Sequence, residues 1–134
     1  MTISTWNPAA SKKNVTAREI NLNSWIVMGE EIHVESQVKQ LSSKAIDELT
    51  PLMKQETTFW QEAAKEIPSE KILCLIRFFT LAEEIHHQLS AGENSPVIAL
   101  NRILKSRKQP LSKEMLAWIK KNSTNRFLPN GSVL

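Results

Sequence analysis

Wherever apolar residues are regularly spaced along this chain, the spacing is helical. Leu22, Trp25, Ile26, Gly29 and Ile32 form one stripe, and Val27, Val34, Val38, Leu41 and Ala45 form a second, at three- and four-residue intervals. This predicts helix from about residue 16 to about residue 47. The segment either touches different neighbours at its two ends or breaks between them, and Ser42-Ser43 is a candidate break. Thr50-Pro51 has the form of an N-cap with proline at the first helical position. It opens a segment over 51–66 that carries Met53, Trp60, Ala63 and Ile67, and Pro68 closes it by excluding its predecessor from the α region. Ser69 then caps a helix running to Ala91, with Gly92 as its stop. At about 100° per residue, apolar side chains cover more than half of that helix. They leave a narrow polar face of Arg77, Thr80, Glu84, His87 and Gln88, as for a helix surrounded on most sides. Ser95-Pro96 repeats the cap-plus-proline start for a helix over 96–106, which Gln109-Pro110 ends. Ser112 caps a last helix to about residue 122, with Leu111 and Leu116 placed as a hydrophobic staple.

No stretch alternates as a half-buried strand does, and three glycines are few for a fold of many tight turns. The expected fold is all-α: a compact bundle of five to six helices around a central buried helix at about 69–91, with a C-terminal helical pair on one side. Residues 1–15 have no periodicity and read as a mobile N-terminal arm, with Trp6 able to pin it to the body. Residues 16–134 read as one all-α domain. A chain of 134 residues buries about two thirds of its unfolded surface, enough for a core without disulfides or metals.

The longest apolar run, from Ile72 to Ala82, is shorter than the roughly 20 residues that span a bilayer, and residues 1–10 lack the basic start and apolar stretch of a signal peptide, so none is expected. The single cysteine, Cys74, lies within that run. It cannot form an internal disulfide and gives no zinc pattern, so the expectation is a buried, inert thiol in a reducing, cytoplasmic setting.

Charge changes this picture by being segregated. Residues 102–126 hold eight basic residues against one acid, Glu114, whereas residues 27–101 hold twelve acids against six bases. Such asymmetry can steer a partner but does not set a fold.

Two constellations could carry chemistry. Glu30-Glu31-Ile32-His33 is echoed by Glu83-Glu84-Ile85-His86-His87, each holding Glu-x-x-His. On a helix that spacing turns a carboxylate and an imidazole the same way, so Glu30, His33, Glu83 and His86 are candidate metal ligands. The spacing resembles the ligand motif of ferritin-like carboxylate bundles, which implies two further bridging glutamates. Glu19 is the one acid ahead of Glu30, and Glu48, Glu56, Glu62 and Glu66 read as solvent-facing, so the pattern is incomplete. The plainer account makes the Glu-Glu pairs solvated and His86, inside the apolar arc, a hydrogen-bonded core histidine.

The second constellation is the basic pair of helices joined by Arg107-Lys108-Gln109-Pro110-Leu111, which resembles a helix-turn-helix. Its connection is long and lacks glycine. Its second helix offers lysines, which contact phosphates, and few side chains that read base edges; the plainer account has the basic segment lying against the acidic middle of the same chain or simply solvated. Trp25 and Trp60 lie on apolar stripes, while Trp118 falls toward the edge of the stripe formed by Met115, Leu116 and Ile119, where it could anchor an interface. No nucleophile–base pair or cofactor motif stands out, and no cofactor is implied. The sequence therefore favours a non-enzymatic, regulatory protein-interaction module acting through Arg102, Lys105, Arg107, Lys108, Trp118, Lys120 and Lys121, with an acidic protein as partner. Nucleic-acid binding by the same surface is the alternative, and a metal site on the Glu-x-x-His motifs the third reading.

Overall fold

The computed structural model describes residues 22–129. The N-terminal arm, Trp6, Glu19 and the predicted helix start near residue 16 lie outside them. Among the described residues there are seven α-helices and no strands: α1 (Asn23–Glu30), α2 (Val34–Lys39), α3 (Ser43–Leu49), α4 (Thr57–Ala63), α5 (Ser69–Ile85), α6 (Pro96–Ser106) and α7 (Lys113–Asn122). The longest, α5, is the hub, and α1, α2, α6 and α7 each pack against it.

The two stripes of the first segment belong to separate helices. Trp25 of α1 stacks on Phe78 with ring centroids 5.1 Å apart, Gly29 lies on the backbone of Cys74, and Glu30 pairs with Lys71. Helix α1 therefore descends α5 in the antiparallel sense. A straight helix continuing to residue 47 would overrun the start of α5. Instead Glu31 turns extended, and the chain doubles back so that Val34 and Val38 of α2 also bury against α5. Val27 and Ile32, placed on the stripes by spacing alone, are exposed. Ser42 marks the second break: its hydroxyl accepts the amide of Ala45 and starts α3.

Thr50 does not cap a helix. It is itself helical and its Oγ1 donates to the Ile46 carbonyl at 2.8 Å, so the chain runs on into a 3₁₀ turn, Thr50–Lys54. Extended Gln55 then separates this turn from α4, and the predicted helix over 51–66 is two elements. Trp60 of α4 is buried in an aromatic cluster, edge-on to Phe79 at 5.5 Å, with Phe79 edge-on to Phe78 at 5.3 Å. This cluster makes α5 the centre of the core, as its apolar circumference predicts. Thr80, on the predicted polar face, is buried, and its hydroxyl is satisfied by the Ile76 carbonyl.

Helix α5 stops at Ile85, before Gly92, because His86 adopts an extended conformation and its Nε2 lies 2.7 Å from the Val38 carbonyl. Two 3₁₀ turns follow, and Gly92, at φ +57°, serves the second. Ser95 caps α6 by accepting the Val97 amide at 3.1 Å, and Ser112 caps α7 by accepting the Met115 amide at 3.1 Å. Helix α6 ends in a Schellman turn. Gln109 N–H donates to the Leu104 carbonyl and Lys108 N–H to the Lys105 carbonyl, each at 2.9 Å. Lys108 occupies the left-handed position of that turn at φ +61°, where glycine is usual. Among the described residues no helix is long and apolar enough to cross a membrane.

Candidate functional site

The C-terminal helices close against α5 incompletely. Between α5, the α6–α7 connection and α7 lies an open groove of about 890 Å³. Leu73, Cys74, Leu111, Met115 and Trp118 line it, with Glu70, Arg77 and Glu114 also on its wall. The proline-bounded connection holds the start of α7 away from α5, while Leu111 and Ile119 bury and tie α7 down. Trp118 is half-buried, at the edge of the stripe as its position in α7 predicts, and the Arg77 guanidinium lies 5.8 Å from its ring centroid. Such a cation–π contact contributes about 0.5–1 kcal/mol near a surface and holds the indole against the α5 side of the groove.

Cys74 lines this groove and is half-buried, where the sequence suggested full burial. Burial pushes its thiol above the ordinary range, and the nearby Glu30 carboxylate adds to the shift. The thiol is therefore protonated at neutral pH and a weak nucleophile, so the expectation of an inert thiol rests here on protonation rather than inaccessibility.

The basic residues divide into two kinds. Arg102, Lys105, Lys108, Lys120 and Lys121 are exposed. Lys105 and Lys108 are next in sequence to the groove residues Leu104 and Gln109, as Lys113 is to Ser112. Arg107, predicted as part of the same binding set, is committed inside the molecule. Its Nη1 donates to the Ile67 carbonyl at 2.8 Å and its Nη2 to the Ala64 carbonyl at 3.0 Å. The Ala64 and Ile67 carbonyls belong to the turn that follows α4, which ends at Ala63, so this guanidinium braces the exit from that helix and is a structural clamp. Its partners lie about 40 positions away in the chain, so no local signal in the sequence reveals the role.

The four Glu-x-x-His residues do not converge. Glu30 accepts from Lys71 at 2.6 Å, and His33 is exposed ahead of α2. Glu83 is buried against Ser95 and the amide of Ala91. His86 bonds the Val38 carbonyl, the core-histidine role expected from the apolar arc. Among the described residues no three His, Cys, Asp or Glu side chains come together as metal ligands. The two motifs belong to different local structures, because Glu83, Glu84 and Ile85 of the second are helical, whereas α1 ends at Glu30 and leaves the rest of the first outside a helix.

Glu83 also has a property the motif did not point to. Burial raises its carboxyl to about 7, although the Ser95 hydroxyl and the Ala91 amide act in the opposite direction. Comparison of the chain with protein-family models, with curated proteins and with solved structures returned no match to any of them.

Proposed function

We propose that the protein is a non-enzymatic, regulatory interaction module whose contact face is the groove between α5 and α7 together with the cations around it. An amphipathic helical segment of an acidic partner protein is the occupant this chemistry suits. Its apolar side chains would enter beside Trp118, Met115 and Leu73, and its carboxylates would meet Lys105, Lys108, Lys120 and Lys121, while Arg102 lies apart from the groove, beside Thr57 and Glu93. The observation that carries the reading is the groove itself: an open, largely apolar trough with a tryptophan on its wall, at the basic end of a charge-segregated chain. Arg107 is removed from the binding set, because its donors are taken by backbone carbonyls.

The test is capture from native lysate on tagged protein, with and without nuclease and at two salt concentrations. Wild type is compared with Trp118→Ala and with a Lys105→Glu/Lys108→Glu double variant, each checked for an unchanged melting curve. The reading expects a protein that survives nuclease and is lost with both variants. Capture that is indifferent to both variants would sink it. Captured material that disappears with nuclease and collapses at moderate salt would move the function to nucleic-acid binding by the same lysines.

A further inference from the structure

Glu83 lies near the end of α5 at 6% exposure. Its Oε1 accepts the Ala91 amide at 3.3 Å and its Oε2 the Ser95 hydroxyl at 2.5 Å. Ser95 is in turn the cap of α6, so one carboxylate ties the end of α5 to the connection and to the start of the next helix. Both hydrogen-bond partners are neutral. The carboxylate also lines a pocket of about 370 Å³ on the side of the molecule where the chain leaves α7.

The other wall of that pocket is residues 123–127, and the segment as far as Leu128 is fastened at three points. Thr124 donates both its amide and its hydroxyl to Glu84, at 3.0 and 3.1 Å. The Asn125 side chain donates to the Gly92 carbonyl at 3.0 Å, and Leu128 is buried in the core. The other charged groups around the pocket are Glu84 and His87, from the end of α5 and the turn after it, and Arg126 from the segment itself. Arg126 lies 5.3 Å from the Phe127 ring centroid. Glu93, on the connection, lines a separate pocket with Arg102. On the sides of α5 toward α1 and α2, Glu30 and Glu35 are taken up by Lys71 and Lys39.

We propose that residues 123–128 form a proton-operated strap, closed over Glu83 while its carboxyl is protonated and loosened when it ionises. An ionised carboxylate whose hydrogen-bond partners are both neutral gains most from water, and residues 123–127 are the wall of its pocket contributed by the chain beyond α7. Once the strap lifts, water reaches Glu83 through the pocket, and the carboxylate returns toward its ordinary affinity for protons. The closed form binds the proton more tightly, so rising pH favours the open form. With Glu83 at about 7 when closed and an ordinary 4.5 when hydrated, the closed-to-open ratio falls by at most about 300-fold across the titration. The device does not require that the groove have a partner.

Residue-resolved amide exchange, corrected for its intrinsic pH dependence, tests the proposal on the whole chain. Protection of Thr124, Asn125 and Leu128 relative to the amides of α5 is expected to fall between about pH 5 and 8 in the wild type. His87 also lines the pocket, so His87→Gln is measured in parallel and is expected to keep the fall, while Glu83→Gln abolishes it. Leu128→Ala, which weakens the strap without touching the carboxylate, should lower protection at every pH and keep the pH trend. A carbon-13 titration of the Glu83 carboxyl provides a second readout, expected near neutrality. Flat protection in the wild type, an unchanged trend in Glu83→Gln, or a Glu83 midpoint in the ordinary carboxylate range would each overturn the proposal.

Discussion

Replacing Gly29 with alanine sets two effects of opposite sign against each other. In an exposed helix the change should stabilise, because alanine is the better helix former by up to about 1 kcal/mol. Here the added Cβ would lie 1.9 Å from the carbonyl oxygen of Cys74, 2.6 Å from its carbonyl carbon and 3.0 Å from its Cα. All three are backbone atoms in the middle of α5 and cannot rotate aside. Relief requires α1 to back away by about 1.5 Å, to reach ordinary van der Waals contact. Overpacking costs about 1–3 kcal/mol where neighbours can adjust, and a backbone obstacle puts this site at the upper end. The same retreat opens the Trp25–Phe78 stack, worth about 0.5–1.5 kcal/mol. After the propensity gain, Gly29→Ala is expected to destabilise by about 2–4 kcal/mol, lowering Tm by roughly 10 °C for a chain of this size. Urea and thermal unfolding followed by circular dichroism and tryptophan fluorescence measure it. Gly92→Ala is the control: nothing lies within 4 Å of its Cβ, so its cost is the left-handed φ of +57° alone, about 1–2 kcal/mol. If Gly29→Ala is neutral or stabilising, α1 does not dock on Cys74 in this register and the close approach is wrong.

Five further substitutions test separate features of the fold. Glu83 has a folded-state affinity for protons raised above the unfolded one, so its contribution to stability is fully present below about pH 4.5 and lost as pH rises through about 7. Glu83→Gln should therefore gain up to about 3 kcal/mol over wild type near pH 8 and nothing near pH 4, read from urea midpoints across pH; a gain independent of pH would contradict the titration. Lys108→Gly relieves a left-handed lysine and should stabilise by about 1 kcal/mol in thermal melts, whereas a loss would mean that the lysine side chain supports the turn. Arg107→Ala should cost about 1–3 kcal/mol because it strips half-buried carbonyls of a charged donor, while Lys105→Ala and Lys121→Ala should stay within about 0.5 kcal/mol of wild type. Equal effects at all three would put Arg107 back on the surface.

What the sequence disclosed was mostly local. Ser95 and Ser112 announce helix starts because a capping hydroxyl acts on amides two or three residues away, within one turn of chain. The central place of α5 was visible from its apolar circumference for the same reason. Helix ends were misjudged where a distant residue decided them. The extended His86 is held to Val38, and the reversal after Glu30 follows from where α5 begins. Thr50 looked like a cap, but its hydroxyl turns back to Ile46 in a helix already under way. At the candidate site, Trp118 was legible as an edge residue of its own helix. The groove was not, since it exists between α7 and residues of α5 some 40 positions earlier. Glu83 was singled out for a metal by its spacing, whereas the structure buries it against Ser95 with its carboxyl raised to about 7.

The Arg107 clamp has a consequence for how the molecule comes apart. Helix α4 has seven residues, too few to persist alone in water, and its end is held by a side chain from the end of α6. Fraying the last turn of α6 withdraws that guanidinium from the Ala64 and Ile67 carbonyls just past the end of α4. The two helices then form one opening unit although more than thirty residues separate them in the chain, and amide hydrogens of α4 exchange with the opening free energy of α6 rather than with that of an isolated short helix.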